Sequence, residues 1–275
     1  MALKLVTYNI QYGFGLDGRY DLDRIIDAVR DADIIALQEV TRGWLKNGGV
    51  DMVAAIENAL PDRFCAFGPG ADADMMSGMV NGKAVNRRFQ FGNMVASRWP
   101  IAALRTLLLP RRLRENRLNL QRSALEAVLL TPDGPLRLYS VHLDHLDGAE
   151  RLEQVAFLKQ AAFEMPARGG TVTGTGEFGY PEPPRPEDFI ACGDFNFEPG
   201  DADYRAMLET GGALVDVTAA DPAFSCTDTI TTPPTLKRLD HVFATPGLAA
   251  RCHSPRVDAA AQGSDHQPVW VGITV

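Results

Sequence analysis

Short apolar runs alternate with amphipathic stretches along this chain from its first residues onward, and that alternation limits its possible folds more than any other feature. Residues 3–10 read as a strand. Leu22, Ile25, Ile26 and Val29 then recur at i, i+3, i+4 and i+7, one face of a helix. A buried strand is expected over 33–40 and a second helix over 51–60, stopped by Pro61. The middle of the chain turns strand-rich, at 93–97, 124–130 and 136–143, and Asp133-Gly134 supplies a turn that makes the last two a hairpin. A helix over 149–163 carries Leu152, Val155, Leu158 and Ala162 on one side. Glycine and proline crowd residues 166–188, which read as a surface excursion and not a domain linker. Further strands are expected over 188–193, 238–245 and 268–275, with a helix near 201–210. No internal repeat is present, and hairpins mixed with helices imply an α/β (α+β) fold of mixed sheets with helices on their outer faces.

The 275 residues, 45% apolar and 23% charged, suit a globular protein, here expected as a single domain over 1–275. A domain of that size buries roughly 75% of its unfolded surface and needs no disulfide or structural metal. Cys65, Cys192, Cys226 and Cys252 lie far apart without a C-x-x-C pair, so free thiols in a reducing cytoplasm are expected. Thr7, Asn9 and Gln11 interrupt the first apolar run before it makes a secretion signal, and no stretch reaches 18 apolar residues. The location expected is therefore cytoplasmic, and the state monomeric. A formal net charge of −8 argues against a protein that coats nucleic acid. Residues 83–122 depart from that average: ten basic residues face one acid, Glu115, a local net charge of +9, and the remainder carries a net charge of −17.

Polar residues stand where the apolar strands end. Asn9 follows LVTY, Glu39 follows IIALQ, His142 follows LYSV, and Asp194 with Asn196 follows FIACG. Asp240 and His241 sit inside RLDHVFAT, and Asp265 with His266 precedes PVWV. Each alone fits a structural role, an acid capping the next helix or a histidine hydrogen-bonded in place.

Taken together the motifs are specific. TYNI (7–10), ALQEV (36–40), GNMVASRWPI (92–101), SVHL (140–143), GDFN (193–196), RLDHVFA (238–244) and SDHQPV (264–269) occur in this order nearly end to end. In this the chain resembles the endonuclease/exonuclease/phosphatase superfamily, the group with the DNase I-like fold. The resemblance implies a four-layer sandwich of two mainly antiparallel sheets flanked by helices, and a metal-dependent attack of water on phosphorus. It implies Mg2+, with Mn2+ able to substitute, on Glu39 as primary ligand with Asp265 completing the metal site. Asn9 would help to hold the ion or a phosphate oxygen. Asp194 would position and activate water, and Asn196 would orient Asp194 or the phosphate. Asp240 and His266 would act as one unit, the carboxylate fixing the imidazole's tautomer. His142 would be a second phosphate donor or the acid that protonates the leaving oxygen. Arg122, heading the strand QRSALEAVLL, is open between a phosphate contact, a salt bridge and a solvent role.

Two departures narrow the resemblance. Several members carry an acid two positions after the TYN asparagine, where this chain has Gln11, so one acidic ligand for a second metal is missing. Abasic-site DNA repair members place a tyrosine where this chain has His142, as in the DNase I, sphingomyelinase and phosphatase branches. The leading expectation is a Mg2+-dependent phosphodiesterase or phosphatase acting on a phosphate-ester substrate. A nuclease is the alternative, with the arginines of 111–122 tracking a phosphate backbone against the acidic balance elsewhere. A catalytically silent binding module is disfavoured, because acid, amide and histidine stand at every matched position except Gln11.

Overall fold

A computed structural model describes residues 2–209, 212–229 and 231–274. In chain order the strands are β1 (Ala2–Asn9), β2 (Ile34–Arg42), β3 (Phe64–Asp74), β4 (Gly78–Val80), β5 (Lys83–Val85), β6 (Arg88–Ser97), β7 (Ile101–Leu108) and β8 (Ser123–Thr131). They continue as β9 (Gly134–His142), β10 (Phe189–Asp194), β11 (Val215–Asp216), β12 (Cys226–Asp228), β13 (Thr235–Lys237), β14 (Asp240–Ala244), β15 (Cys252–Val257) and β16 (Val269–Thr274). The helices are α1 (Leu22–Val29), α2 (Met52–Ala59), α3 (Gly148–Arg168), α4 (Ala202–Glu209) and α5 (Pro246–Ala249). Two six-stranded, mainly antiparallel sheets result, ordered β15-β16-β1-β2-β6-β3 and β11-β14-β10-β9-β8-β7.

Period-two alternation decides which side chains go where. On β1, Leu5 points between the sheets and packs with Val95, Leu125, Leu138, Ile190, Val242 and Val271. Its neighbour Val6 points the other way, toward Ile25 and Ile26 of α1 and Ile56 of α2. On the far sheet, Tyr139 and Phe243 face outward to Val155 and Leu158 of α3 and Met207 of α4. The layers are therefore helix, sheet, sheet, helix, as the resemblance implied. Asp21 and Asp51 cap α1 and α2 by accepting from the backbone N–H groups of Arg24 and Ala54.

The β8–β9 hairpin forms as expected, but its two turn residues are Pro132 and Asp133, because Gly134 already pairs with Thr131. Helix α3 runs through Pro166 to Arg168, beyond the expected end at 163. Proline lacks the N–H that would bond Ala162 O one turn earlier, and the buried Arg137 supplies the donor instead, its Nη1 lying 2.9 Å from that carbonyl. The excursion therefore begins at Gly169. The expected ends at Thr210 and Val275 lie outside the described residues.

Candidate active site

Strand register gathers the polar strand ends at one end of the sandwich. β1 and β2 run parallel, with Asn9 opposite Gln38, and β9 and β10 run parallel, with Asp194 opposite His142. β14 runs antiparallel to β10 and sets Asp240 opposite Asp194. Gly193 allows the close β9–β10 approach: its φ is +146°, and a Cβ there would lie 2.0 Å from Val141 O. The β2–β6 register shifts between Leu37 and Val40, and Glu39 within that bulge adopts a φ of +63°. Beneath the site the layers are tied by buried amides. Gln38 Nε2 donates to Ser140 Oγ at 2.9 Å, and Asn93 Nδ2 donates to Ser123 O at 2.8 Å and Ser140 O at 3.0 Å.

Asn9, Glu39, Arg122, His142, Asp194, Asn196, Asp265 and His266 all line one cavity of about 520 Å3. Asp240 stands behind His266. At the centre is Asp194 Oδ2, which accepts from Asn9 Nδ2 at 2.9 Å and lies 3.4 Å from His142 Nε2 and 3.7 Å from His266 Nε2. Asp194 Oδ1 accepts from the backbone N–H of Asn196 at 2.9 Å, while the Asn196 amide donates to Leu143 O at 3.2 Å. His266 Nδ1 pairs with Asp240 Oδ2 at 2.8 Å, and Ser225 Oγ donates to the same oxygen at 2.7 Å. Burial alone would lower the His266 pKa, but the adjoining Asp240 carboxylate outweighs it and holds the imidazolium well above the usual range.

His142 is pushed the other way. Burial lowers its pKa well below the ordinary value, and the cationic Arg122 beside it adds to the effect. Arg122 Nη1 lies 2.8 Å from His142 Nε2 and 3.1 Å from its Nδ1, distances that in the ring plane would overlap a ring carbon, so the Nη1 lies over the imidazole face. Its Nη2 meets His145 Nδ1 at 2.7 Å, and Arg122 is only 7% exposed. The Arg122 donors thus face two imidazoles, an arrangement outside the three roles open in the sequence. His145 also lines the cavity.

Glu39 has a different environment. The Asn9 amide is 3.5 Å from its Oε1 and His142 Nε2 is 3.9 Å away. Burial raises its carboxyl to about 7; Arg122 opposes that rise, and the neighbouring acids Asp265 and Asp194 add to it. Asp265 is held beside it, accepting from Gln11 Nε2 at 2.7 Å. Gln11 therefore stands where a second acid would be and donates to the acid that remains. Hard oxygen donors that no lysine or arginine among the described residues ion-pairs, and whose repulsion Arg122 and His266 only partly offset, fit Mg2+ or Mn2+. Among the described residues, ligand atoms of Asp194, Asp240 and His266 also lie within 4.8 Å of one another. That set spends His266 Nδ1 on Asp240, which suits proton handling better than a cation.

Five of the ten basic residues of 83–122 are ion-paired among the described residues. Arg88 pairs with Asp72, Arg98 with Asp33 and Asp62, and Arg105 with Glu126. Arg112 reaches Asp147 and Glu153, and Arg114 reaches Asp144 at 3.2 Å and Glu150 at 2.9 Å. Sequence reasoning missed Ser225 and His145. A serine in an irregular loop carries no signal, but His145 stands three residues after His142 and was open to reading.

A sequence model of the endonuclease/exonuclease/phosphatase family matches residues 6–266. Among curated proteins no sequence match was found. Solved structures share the fold at low identity. An endonuclease/exonuclease/phosphatase from Beutenbergia cavernae has a TM-score of 0.69 at 21% identity, over 100% of this chain and 72% of that one. Truncated TDP2 from Caenorhabditis elegans gives 0.63 at 14%, over 100% and 98%. The 3′ phosphatase NExo from Neisseria, bound to a product DNA hairpin, gives 0.60 at 19%, over 99% and 100%.

Proposed function

The chain belongs to the endonuclease/exonuclease/phosphatase family, and from that premise we propose that it is a divalent-metal-dependent hydrolase of phosphate esters, water attacking phosphorus in line with the leaving oxygen. The observation that carries this reading is the convergence of Asn9, His142 and His266 on Asp194 Oδ2. A carboxylate so surrounded holds a water and takes its proton, with Asn196 fixing its other oxygen. His266, kept cationic by Asp240, donates to the negative charge that develops on the phosphoryl oxygens. Asp240 acts through His266, and Ser225 through Asp240. His142, held neutral, serves as a hydrogen-bond donor, not as the acid for the leaving group. Bound at Glu39 beside Asp265 and Asn9, Mg2+ or Mn2+ would supply Lewis-acid stabilisation of phosphoryl oxygens. Both sheets complete the site, which supports reading residues 1–275 as one domain.

A small ester is preferred to a polynucleotide because acids already occupy Arg88, Arg98, Arg105, Arg112 and Arg114. No helix among the described residues is long and apolar enough to cross a membrane. The test is a hydrolysis panel of bis-p-nitrophenyl phosphate, a phosphomonoester, sphingomyelin, supercoiled DNA and RNA with Mg2+, Mn2+, Ca2+ or chelator. The expected result is Mg2+-dependent turnover of a small ester that chelator abolishes and Asp194→Asn cripples. Hydrolysis of nothing with any cation contradicts the proposal, and polynucleotide cleavage without small-ester turnover shifts it to a nuclease.

A further inference from the structure

A second cavity of about 440 Å3 adjoins the first, and Gln11, Tyr12, Lys46 and Thr229 line both. Rings link the two spaces. Phe91 lies 6.3 Å from His142 between centroids, Trp44 lies 6.2 Å from Phe91, Tyr12 lies 5.9 Å from Trp44, and Phe14 lies 5.8 Å from Tyr12. An unbroken aromatic wall therefore runs from the centre of the polar site to the outer cavity.

The backbone under that wall is held in an unfavourable shape. Gln11 and Tyr12 both have φ of 41°, a strained region that a non-glycine residue keeps only when its surroundings enforce it. The enforcing bonds come from the site itself and the neighbouring loop. Gln11 N donates to Asn9 Oδ1 at 3.1 Å, Gln11 Nε2 donates to Asp265 Oδ2 at 2.7 Å, and Asn47 Nδ2 donates to Tyr12 O at 3.2 Å. Gly13 follows with φ +98°, where a Cβ would lie 2.2 Å from the Tyr20 ring, itself 5.7 Å from that of Phe14. Above the shelf the exposed Lys46 lies 5.5 Å from the Tyr12 ring centre, and no described carboxylate pairs with it.

We propose that this shelf is a subsite for a planar aromatic group of the substrate, a nucleobase or an aryl ring, seated on the Tyr12–Trp44 wall with Lys46 meeting negative charge beside it. The proposal rests on the phosphate-ester reading and names the organic part of that ester. An acyl chain is the poorer occupant, because its burial would strip water from the Lys46 ammonium without compensation, whereas an aromatic ring offers the cation a π face.

The test is calorimetric binding to the Mg2+-loaded full chain of four phosphonates: methyl, hexyl, phenyl and thymidine 5′-phosphonate. Phenyl or thymidine should bind about 10-fold tighter than methyl, on the scale of one base–aromatic stack, and tighter than hexyl. The phenyl and thymidine arms separate an aryl from a nucleoside ligand. Tyr12→Ala should bring the aromatic-to-methyl ratio near one, and Lys46→Ala should reduce it a few-fold. Tyr12→Asn, whose residue tolerates a left-handed backbone, repeats the test should alanine unsettle the loop. Equal affinities, a preference for hexyl, or a ratio indifferent to all three variants overturns the subsite. Aromatic-selective binding without hydrolysis of any ester overturns the enzymatic reading and keeps the subsite; ester hydrolysis without phosphonate binding does the reverse.

Discussion

The two acid-rich halves of the site differ in what balances their charge. On the β10–β14 side, Asp194 and Asp240 are met by protein donors: the Asn9 amide, the Asn196 backbone, Ser225 Oγ and the His266 imidazolium. On the β1–β2 side, Glu39 and Asp265 are met by amide donors and ion-paired by no lysine or arginine among the described residues, and burial with their repulsion carries Glu39 to about 7 although Arg122 opposes it. On the proposed reading the first half would handle protons, whereas the second would take a cation from solution. Similar side chains take different roles because the donors around them differ.

Removing the first half should cost most. Asp194→Asn and His266→Ala should each lower kcat roughly 100- to 10,000-fold in steady-state assays at saturating Mg2+. Asp240→Asn combined with His266→Ala should lose little beyond His266→Ala alone, since both serve one imidazolium. Fully multiplicative losses would separate the pair and erase the contrast between the halves.

The cation half should fail differently. Glu39→Gln should raise the Mg2+ concentration for half-maximal activity sharply and lower kcat less than Asp194→Asn does. Protons would compete with an ion at Glu39, whose carboxyl is raised to about 7. Below that pH the group is protonated, so apparent Mg2+ affinity should fall roughly tenfold per unit as pH drops, and level off above it. A Mg2+ midpoint flat from pH 5.5 to 8 would remove Glu39 from the metal site.

Smaller effects fall on the arginines. Arg114→Ser strands Asp144 and Glu150, whose side chains are fully buried, and should cost about 3 kcal/mol in denaturant unfolding. Arg111→Ser with Arg117→Ser removes exposed charges and should change stability by less than about 0.5 kcal/mol, with kcat/KM for a small ester barely moved. A large kcat/KM loss on DNA or RNA from that double variant, with the small ester spared, would restore the nuclease reading.

The strand ends were legible because seven short motifs that close apolar runs occur in one order along the chain, whereas each acid, amide or histidine alone fits a structural role. Asn9, Glu39, His142, Asp194, Asp265 and His266 were found that way, and register brings them together. Period-two strands and 3.6-period helices pointed to mixed sheets with helices on their outer faces, and the resemblance supplied the four layers. Other elements left no such trace. β3 carries Gly68, Pro69 and Gly70 and is only partly buried, and the edge strand β15 exposes half its residues, so neither alternates cleanly. The buried position of Arg122, the donor role of Gln11 and the ring contacts of Tyr12 with Trp44 depend on residues distant in sequence, which no local pattern encodes.

The central claim is that water, activated in the first half, attacks phosphorus with a cation bound in the other. Hydrolysis of the preferred small ester in 18O-water with Mg2+, read by mass spectrometry of both products, tests it directly. The label should enter the phosphate product, at a rate that chelator abolishes and Asp194→Asn reduces at least 100-fold. Label in the alcohol, or unchanged incorporation with chelator present, would contradict the account.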